Sequence, residues 1–558
     1  MFTFWNSLGF GPSDAIELAL AALFVGLALV SRPWIEPWAR GLAPKTAWCM
    51  LLLALLPVML RLAMLPRHPA PQPTVYDEFG HLLVADTLLH FRLANPPHPL
   101  HQFFETFFVL QTPSYASIYP IGEGLTLAIG RAIFHSPWAG VLLTSAALCA
   151  LCYWMLRGWT SPVWALAGGL LAVIEFGPLN AWTNGYWGGA AAACAGCLVF
   201  GALPRLHSKC RALDGALVGL GIGLHWHVRP YETIFLVLSA LLFLLPDWRF
   251  LAKPAIAAAI LMLPFAGLSL MQNKQVTGSW TTLPYSLSRY QYGVPAAFTW
   301  QSNPEPHNEL TREQQMQYKM QTSFRASGPE TIKTYWQRLE YRVRFYRFFF
   351  LAPLYVALPF FLVKLREWRF VWVAATLGIF ALGVNFYPFF ETHYLGALTC
   401  LFVLVSVMAL REMPPITARL ILFLCLAHFV FFYARSFFEP EIPTARTMVN
   451  GQLSRLPGKQ LVFVRYWPQH IFQNEWVYNA ADMDRARVVW ARDLGDTEDQ
   501  KLLHYYPDRT AWLLEPDAMP PKLAHFQVQP QPRKTAPSPP ISNSKSPKTP
   551  PLHFEEVH

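Results

Sequence analysis

Asp77 and Glu78 stand side by side shortly after a long apolar run. Asp77 and His81 are spaced i, i+4, so on a helix they share one face. A carboxylate placed there can take the proton of an attacking hydroxyl. Two plainer roles stay open: Asp77 as a helix N-cap and His81 as a packing residue. A second group lies in LHWHVRPYE, with His225, His227, Arg229 and Glu232 at the end of an apolar run. A guanidinium binds phosphate in a bidentate fork, and charge at membrane depth is usually functional. The alternative is an Arg that snorkels beside Glu232. A third group, FYPFFETHYLGAL, carries Glu391, Thr392, His393 and Tyr394; an aromatic belt with one His is its plainer reading. Lys274 and Arg289 sit in QNKQVTGSWTTLPYSLSRYQYG, suited to a lipid phosphate or to anionic headgroups. His98, His101 and Glu105 have spacing too generic to assign a metal, and none is assigned. Asp482 and Asp484 form a D-x-D triplet in a segment too short for a soluble sugar-transferase fold.

The elements that must hold these residues are membrane helices. Hydrophobic residues make up 53% of the 558 and charged residues 14%, whereas a soluble chain carries roughly 25% charged residues. A simple soluble enzyme and a wholly disordered chain are both excluded. Apolar runs predict about twelve spanning helices, near 15–31, 46–65, 137–157, 161–177, 186–204, 213–228, 231–246, 254–271, 346–363, 370–388, 393–410 and 416–434. Lys and Arg cluster in alternate loops, around Arg40, Arg157, Lys209, Lys253, Arg366 and Arg411. The positive-inside rule makes those loops cytoplasmic. Segments 66–136, 272–345 and everything after about 435 then face outward. The surplus of +10 charges sets topology and implies no nucleic-acid partner. Seven of the eight cysteines fall in apolar runs and Cys210 in a basic loop, so no disulfide framework or zinc site is expected.

Within 66–136, Phe79, Leu82, Leu83 and Leu89 trace an apolar stripe, so an amphipathic helix is expected in the outer interface. The stretch 180–196 pairs aromatics with small residues and reads mainly as a close-packing element, with Trp182 and Trp187 available to sugar or lipid. Residues 435–530 form a small external α/β unit. Its expected strands lie at 461–466, 488–491 and 511–515, and its expected helix at 496–505. The Pro-, Ser- and Lys-rich stretch 531–558 is expected to be disordered. The fold class is thus an α-helical polytopic membrane protein with external interfacial helices and a small C-terminal α/β domain, the membrane part being 1–434.

The order of a spanning helix, an Asp-Glu pair, a helix, an aromatic-rich loop, Tyr119-Pro120 and YPIGEGLTLAIG resembles the GT-C superfamily of membrane glycosyltransferases. Among these are protein O-mannosyltransferases and aminoarabinose transferases. The stretch DEFGHLLVADTLLHFRLANPPHP looks closer to a bacterial subgroup with undefined acceptors. Ile121 stands where the family's YPP-type segment often has a second Pro. His393-Tyr394 looks like the counterpart of an Arg-Tyr pair in related enzymes. The resemblance covers roughly 46–435 and implies inverting transfer from a polyprenyl-phosphate sugar to an unknown acceptor. No cofactor is expected, with a divalent metal left open, and the resemblance puts the site on the periplasmic side of a bacterial inner membrane. It gives the role of catalytic base to Asp77, with Glu78 as the alternative catalytic carboxylate. Phosphate recognition falls to Arg229, His393, Tyr394, Lys274 and Arg289, and acceptor or sugar contacts to His81, Glu105, His227 and Glu232. A transporter or lipid flippase is the main rival, and a non-catalytic scaffold the third reading. Convergence of Asp77 and Arg229 on one outward site separates the enzyme from the transporter.

Overall fold

The computed structural model describes residues 11–323, 330–439 and 441–527. The stretch 531–558 lies outside the described residues. Among these residues, eight helices are long and apolar enough to cross a membrane: Pro12–Val30, Thr46–Ala63, Pro137–Leu156, Gly189–Lys209, Pro230–Phe250, Ala252–Thr277, Thr392–Glu412 and Pro415–Phe438. Pro162–Phe176 and Trp368–Val384 are shorter apolar helices, and Ala212–Val228 fills another expected span. The run at 346–363 departs from expectation. It breaks into the 3₁₀ helices Arg344–Phe349, Ala352–Val356 and Leu358–Arg366. Pro353 and Pro359 withhold the N–H groups that a continuous α-helix needs there.

Small residues decide how closely the helices approach. Gly215, Gly219 and Gly223 recur every four residues on Ala212–Val228, facing Ala252–Thr277. A Cβ on Gly215 would lie 2.2 Å from the Pro254 carbonyl oxygen, and one on Gly219 would lie 2.3 Å from that of Ala258. This is the small-residue contact by which membrane helices reach van der Waals packing without a hydrophobic driving force. The small residues after 188 act the same way, since a Cβ on Gly196 would meet the Ala397 carbonyl at 2.0 Å. Cys149, Cys152, Cys197 and Cys400 are buried in this core as free thiols, as their apolar surroundings require.

The segments between and beyond the apolar helices pack onto one another. A short antiparallel hairpin pairs β1 (Val109–Leu110) with β2 (Ala116–Ser117). Beyond the last spanning helix, a four-stranded sheet has the order β4-β3-β5-β6, with β3 Lys459–Val464, β4 Val488–Arg492, β5 Arg509–Glu515 and β6 Lys522–His525. β3 runs parallel to β4 and β5, and β6 is antiparallel to β5. The three expected strands and the helix Asp496–Tyr505 are present. The helix Ala445–Arg455 and β6 were not read from the sequence.

This C-terminal unit covers the helix Tyr76–Leu89 that carries Asp77. Tyr478 lies flat on Phe79, with ring centroids 4.4 Å apart and planes 4° from parallel. The Arg446 guanidinium sits 4.4 Å from the Phe79 ring centroid and 5.1 Å from that of Trp490. Ala481 donates its N–H to Asp86 at 2.7 Å, and Arg131 donates to the same carboxylate at 2.9 Å. The stripe of Phe79 and Leu83 therefore does not lie in the lipid interface. Both faces of this helix are buried, Phe79 and Leu83 against the C-terminal unit and Ala85 against the next helix. The exposed apolar stripe is on that next helix, Ile121–Phe134, at Leu125, Ile129 and Ile133. A row spaced i, i+4, i+8 is what a helix lying at a lipid surface presents.

Candidate active site

Asp77 opens the helix Tyr76–Leu89. It stays half-buried, and the Tyr119 hydroxyl donates a short hydrogen bond to its carboxylate. Tyr119 comes from the segment after β2, and Gln272 pins it by donating to the Tyr119 carbonyl at 2.9 Å. Gly80 leaves room for the phenol, because a Cβ there would lie 2.8 Å from the Tyr119 ring. Burial raises the Asp77 carboxyl to about 6, against the opposing pull of the Tyr119 hydrogen bond and the Arg229 charge. His81, one turn on, has its ring centroid 4.4 Å from that of Tyr119. Its Nδ1 is buried without a partner. Burial and the Arg229 charge hold this imidazole down at about 3, so it is neutral at physiological pH.

Arg229 is the hub. It lies at the junction of Ala212–Val228 and Pro230–Leu244. Its charge acts on Asp77, His81, Glu123, Glu232 and His393. The guanidinium sits 5.0 Å from the Tyr394 ring centroid, and its Nη2 donates to the Trp187 carbonyl at 3.4 Å. Its Nε is buried without a partner, and no carboxylate lies within ion-pair distance of it among the described residues. Donors therefore remain for an anion. His393 is buried between Trp187, at 5.2 Å between centroids, and Tyr394, at 5.0 Å. Asp77, His81, Arg229, Glu232, His393 and Tyr394, drawn from three distant stretches of sequence, thus come together.

Other expected residues are used elsewhere. Glu78 is a structural carboxylate. Its Oε2 accepts from the N–H groups of Thr74 at 2.8 Å and Val75 at 3.3 Å, and its Oε1 from that of Tyr186 at 3.0 Å. It closes the helix N-terminus, where Val75 has no capping oxygen, and ties it to the loop before Gly189–Lys209. Burial raises its carboxyl, and these donors oppose the rise. Lys274 belongs to the last turn of Ala252–Thr277, which runs beyond the expected 271. There it caps the Gly278 carbonyl at 2.7 Å from an exposed position. Arg289 donates to the carbonyls of Pro295 and Ala296 at 3.3 and 3.1 Å and stacks on Tyr285. His227 faces the neighbouring helix, its Nε2 2.9 Å from the Phe265 carbonyl oxygen.

Glu105 stands 3.5 Å from His101 and beside Tyr292 and Arg492. It belongs to the seam with the C-terminal unit. His98 is engaged with Tyr506 at 3.1 Å and with the Leu100 N–H at 3.0 Å. Among the described residues no three His, Cys, Asp or Glu side chains are arranged to hold a metal ion. Asp484 accepts from the Tyr506 hydroxyl at 2.7 Å, and Asp482 pairs with Arg485.

Sequence reasoning passed over three site residues. Tyr119 was visible only as part of a motif. Tyr387 shares a hydrogen bond with Tyr285, and its partner Tyr394 lies 6.1 Å away between centroids. The third, Glu123, is the one carboxylate of a mainly apolar helix whose other charged residue is Arg131, which was a legible signal.

The arrangement defines a class, a polytopic helical membrane protein that gathers an acidic residue, a guanidinium and aromatic rings. Comparison with solved structures shows a shared fold. The chain superposes on ArnT from Cupriavidus metallidurans in the apo state with a TM-score of 0.52 at 10% identity, over 85% of this chain and 93% of that one. The undecaprenyl phosphate-bound form of that protein matches with a TM-score of 0.48 at 11% identity, over 84% and 93%. An Archaeoglobus fulgidus oligosaccharyltransferase tethered to an acceptor peptide matches with a TM-score of 0.44 at 10% identity, over 84% and 69%. At such identities the likeness is one of fold. No protein-family model and no curated protein sequence matches the chain.

Proposed function

We propose that the chain is an inverting glycosyltransferase that moves a sugar from a polyprenyl-phosphate donor to an acceptor hydroxyl at the outer face of a bacterial inner membrane. The observation that carries this reading is the meeting of a partly buried carboxylate, Asp77, with an Arg229 that has donors to spare. A carboxyl that titrates near 6 is ionised at neutral pH yet still basic enough to accept a proton. The acceptor oxygen attacks the anomeric carbon and its proton passes to Asp77. The bond from that carbon to the phosphate oxygen breaks, and the electron pair leaves on the phosphate. Arg229 stabilises the charge gathering there, with Tyr394 stacked against it and His393 alongside. His81, neutral and free at Nδ1, offers a hydrogen bond to the acceptor or the sugar. Glu232 tunes Arg229.

ArnT, whose fold the chain shares, has been solved with undecaprenyl phosphate, which supports a lipid-phosphate donor. The test is mass spectrometry of lipid retained by the purified protein and by Asp77→Asn. The variant is expected to stay folded, to lose transfer and to accumulate a polyprenyl-phosphate sugar. An active Asp77→Asn protein would remove this mechanism.

A further inference from the structure

Glu123 has no part in that mechanism, yet it is a deeply placed carboxyl beside the site. It is 3% exposed, and its Oε2 is buried without a hydrogen-bond partner. Its position is imposed by packing. The preceding Gly122 touches the neighbouring helix so closely that a Cβ would lie 2.6 Å from the His227 carbonyl oxygen. Oε2 points at the turn 187–188, because a Cβ on Gly188 would lie 3.0 Å from it. Gly188 holds a φ of +75°, which a side chain would strain. The Trp187 carbonyl of the same turn accepts from Arg229. Glu123 and Arg229 therefore flank one turn, each with unused hydrogen-bonding capacity.

We propose that Glu123 binds as a neutral carboxylic acid and donates a hydrogen bond to the lipid phosphate that Arg229 holds. This rests on the glycosyltransferase reading above. An ionised Glu123 would cancel the Arg229 charge and repel the phosphate, whereas the acid leaves the charge intact and adds a donor. Burial raises the carboxyl to about 8 against the Arg229 charge, so the acid predominates at neutral pH while Asp77 is ionised. Two carboxyls pushed apart by their surroundings can take opposite roles in one site. The elements packed against Ile121–Phe134 bring Asp77, Glu78, His81 and Asp86, the last paired with Arg131 of the same helix, then His225, His227 and Arg229, and the thiols Cys149, Cys152 and Cys194.

The experiment titrates undecaprenyl phosphate onto the detergent-purified full chain between pH 6.5 and 9.5, for the parent, Glu123→Gln, Glu123→Ala and Arg229→Ala. At pH 7, Glu123→Ala is expected to weaken binding about tenfold, and Glu123→Gln, which keeps a neutral donor, to recover most of that loss. The parent's affinity should fall relative to that of Glu123→Gln as pH passes about 8. A purely structural Glu123 would show no such divergence. Parallel pH profiles, or a Gln variant as weak as the Ala variant, overturn the proposal. Should the parent fail to bind, or bind regardless of Arg229, the glycosyltransferase reading falls and this proposal with it. Binding that needs Arg229 but ignores Glu123 overturns the present inference alone.

Discussion

The Tyr119 hydroxyl donates a short hydrogen bond to Asp77, joining the loop after β2 to the first turn of the helix Tyr76–Leu89. That bond favours the ionised carboxylate, while burial opposes it. Asp77 must be deprotonated to act as a base, so transfer should rise with pH through about 6. Tyr119→Phe removes a stabiliser of the anion, so its acid limb should move to higher pH. Rate against pH for the two proteins checks the sign. Asp77→Asn should lower transfer by about 10²–10⁴-fold above pH 7, and the gap should narrow as the parent's own base protonates below about 6.

Replacing Arg229 separates charge from shape. Lysine keeps the charge but loses the planar fork that lies over Tyr394. Arg229→Lys should weaken donor binding about tenfold, and Arg229→Ala about a hundredfold. Saturation curves in the lipid donor measure this. Equal donor affinity across all three proteins would remove Arg229 from phosphate recognition.

Glu78 should behave as a structural residue despite standing next to Asp77. Glu78→Ala leaves the N–H groups of Thr74, Val75 and Tyr186 without their acceptor. The Tyr186 N–H is buried, and leaving such a donor unsatisfied costs about 1–3 kcal/mol in local stability. Thermal unfolding in detergent should show a lowered midpoint, and the pH profile of any remaining transfer should keep its shape. A normal midpoint with abolished turnover would return Glu78 to the chemistry.

The C-terminal unit should matter to the site through Phe79, two residues from Asp77. Arg446 and Tyr478 hold that ring from the C-terminal side. Contacts of this type are worth about 0.5–2 kcal/mol. Arg446→Ala and Tyr478→Leu should each lower turnover several-fold, and hydrogen exchange should quicken in Tyr76–Leu89. Unchanged exchange in that helix would show that the unit does not brace it.

A lowered stability at alkaline pH should trace to Glu123. Its carboxyl is raised to about 8 in the folded protein from the ordinary value of 4.5. The folded state therefore binds more protons between those values. The associated stability is complete below 4.5 and is lost as pH rises through about 8. Thermal scans of Glu123→Gln should show a gain over the parent that grows from pH 5.5 to pH 9.

Hydropathy along the chain determined that this is a polytopic membrane protein, because partition between lipid and water depends on residues that are neighbours in sequence. The same local logic marked Asp77, His81, Arg229, His393 and Tyr394, since polar groups beside apolar runs stand out without knowledge of the fold. It placed the strands and one helix of the C-terminal unit from their alternation and turn residues. It misplaced what depends on neighbours far away in sequence. Glu78 looks like Asp77 in sequence, and only the N–H groups of Thr74, Val75 and Tyr186 around it set its role. The stripe at Phe79 and Leu83 reads as lipid-facing until Tyr478 and Arg446 cover it. Lys274, Glu105 and His227 carry suitable groups, and the tertiary structure turns each to another partner. Tyr119 and Glu123 enter the site because close contacts at Gly80, Gly122 and Gly188 leave them no other place. Residue type sets what chemistry a side chain can do, and packing across distant segments sets which partner it meets.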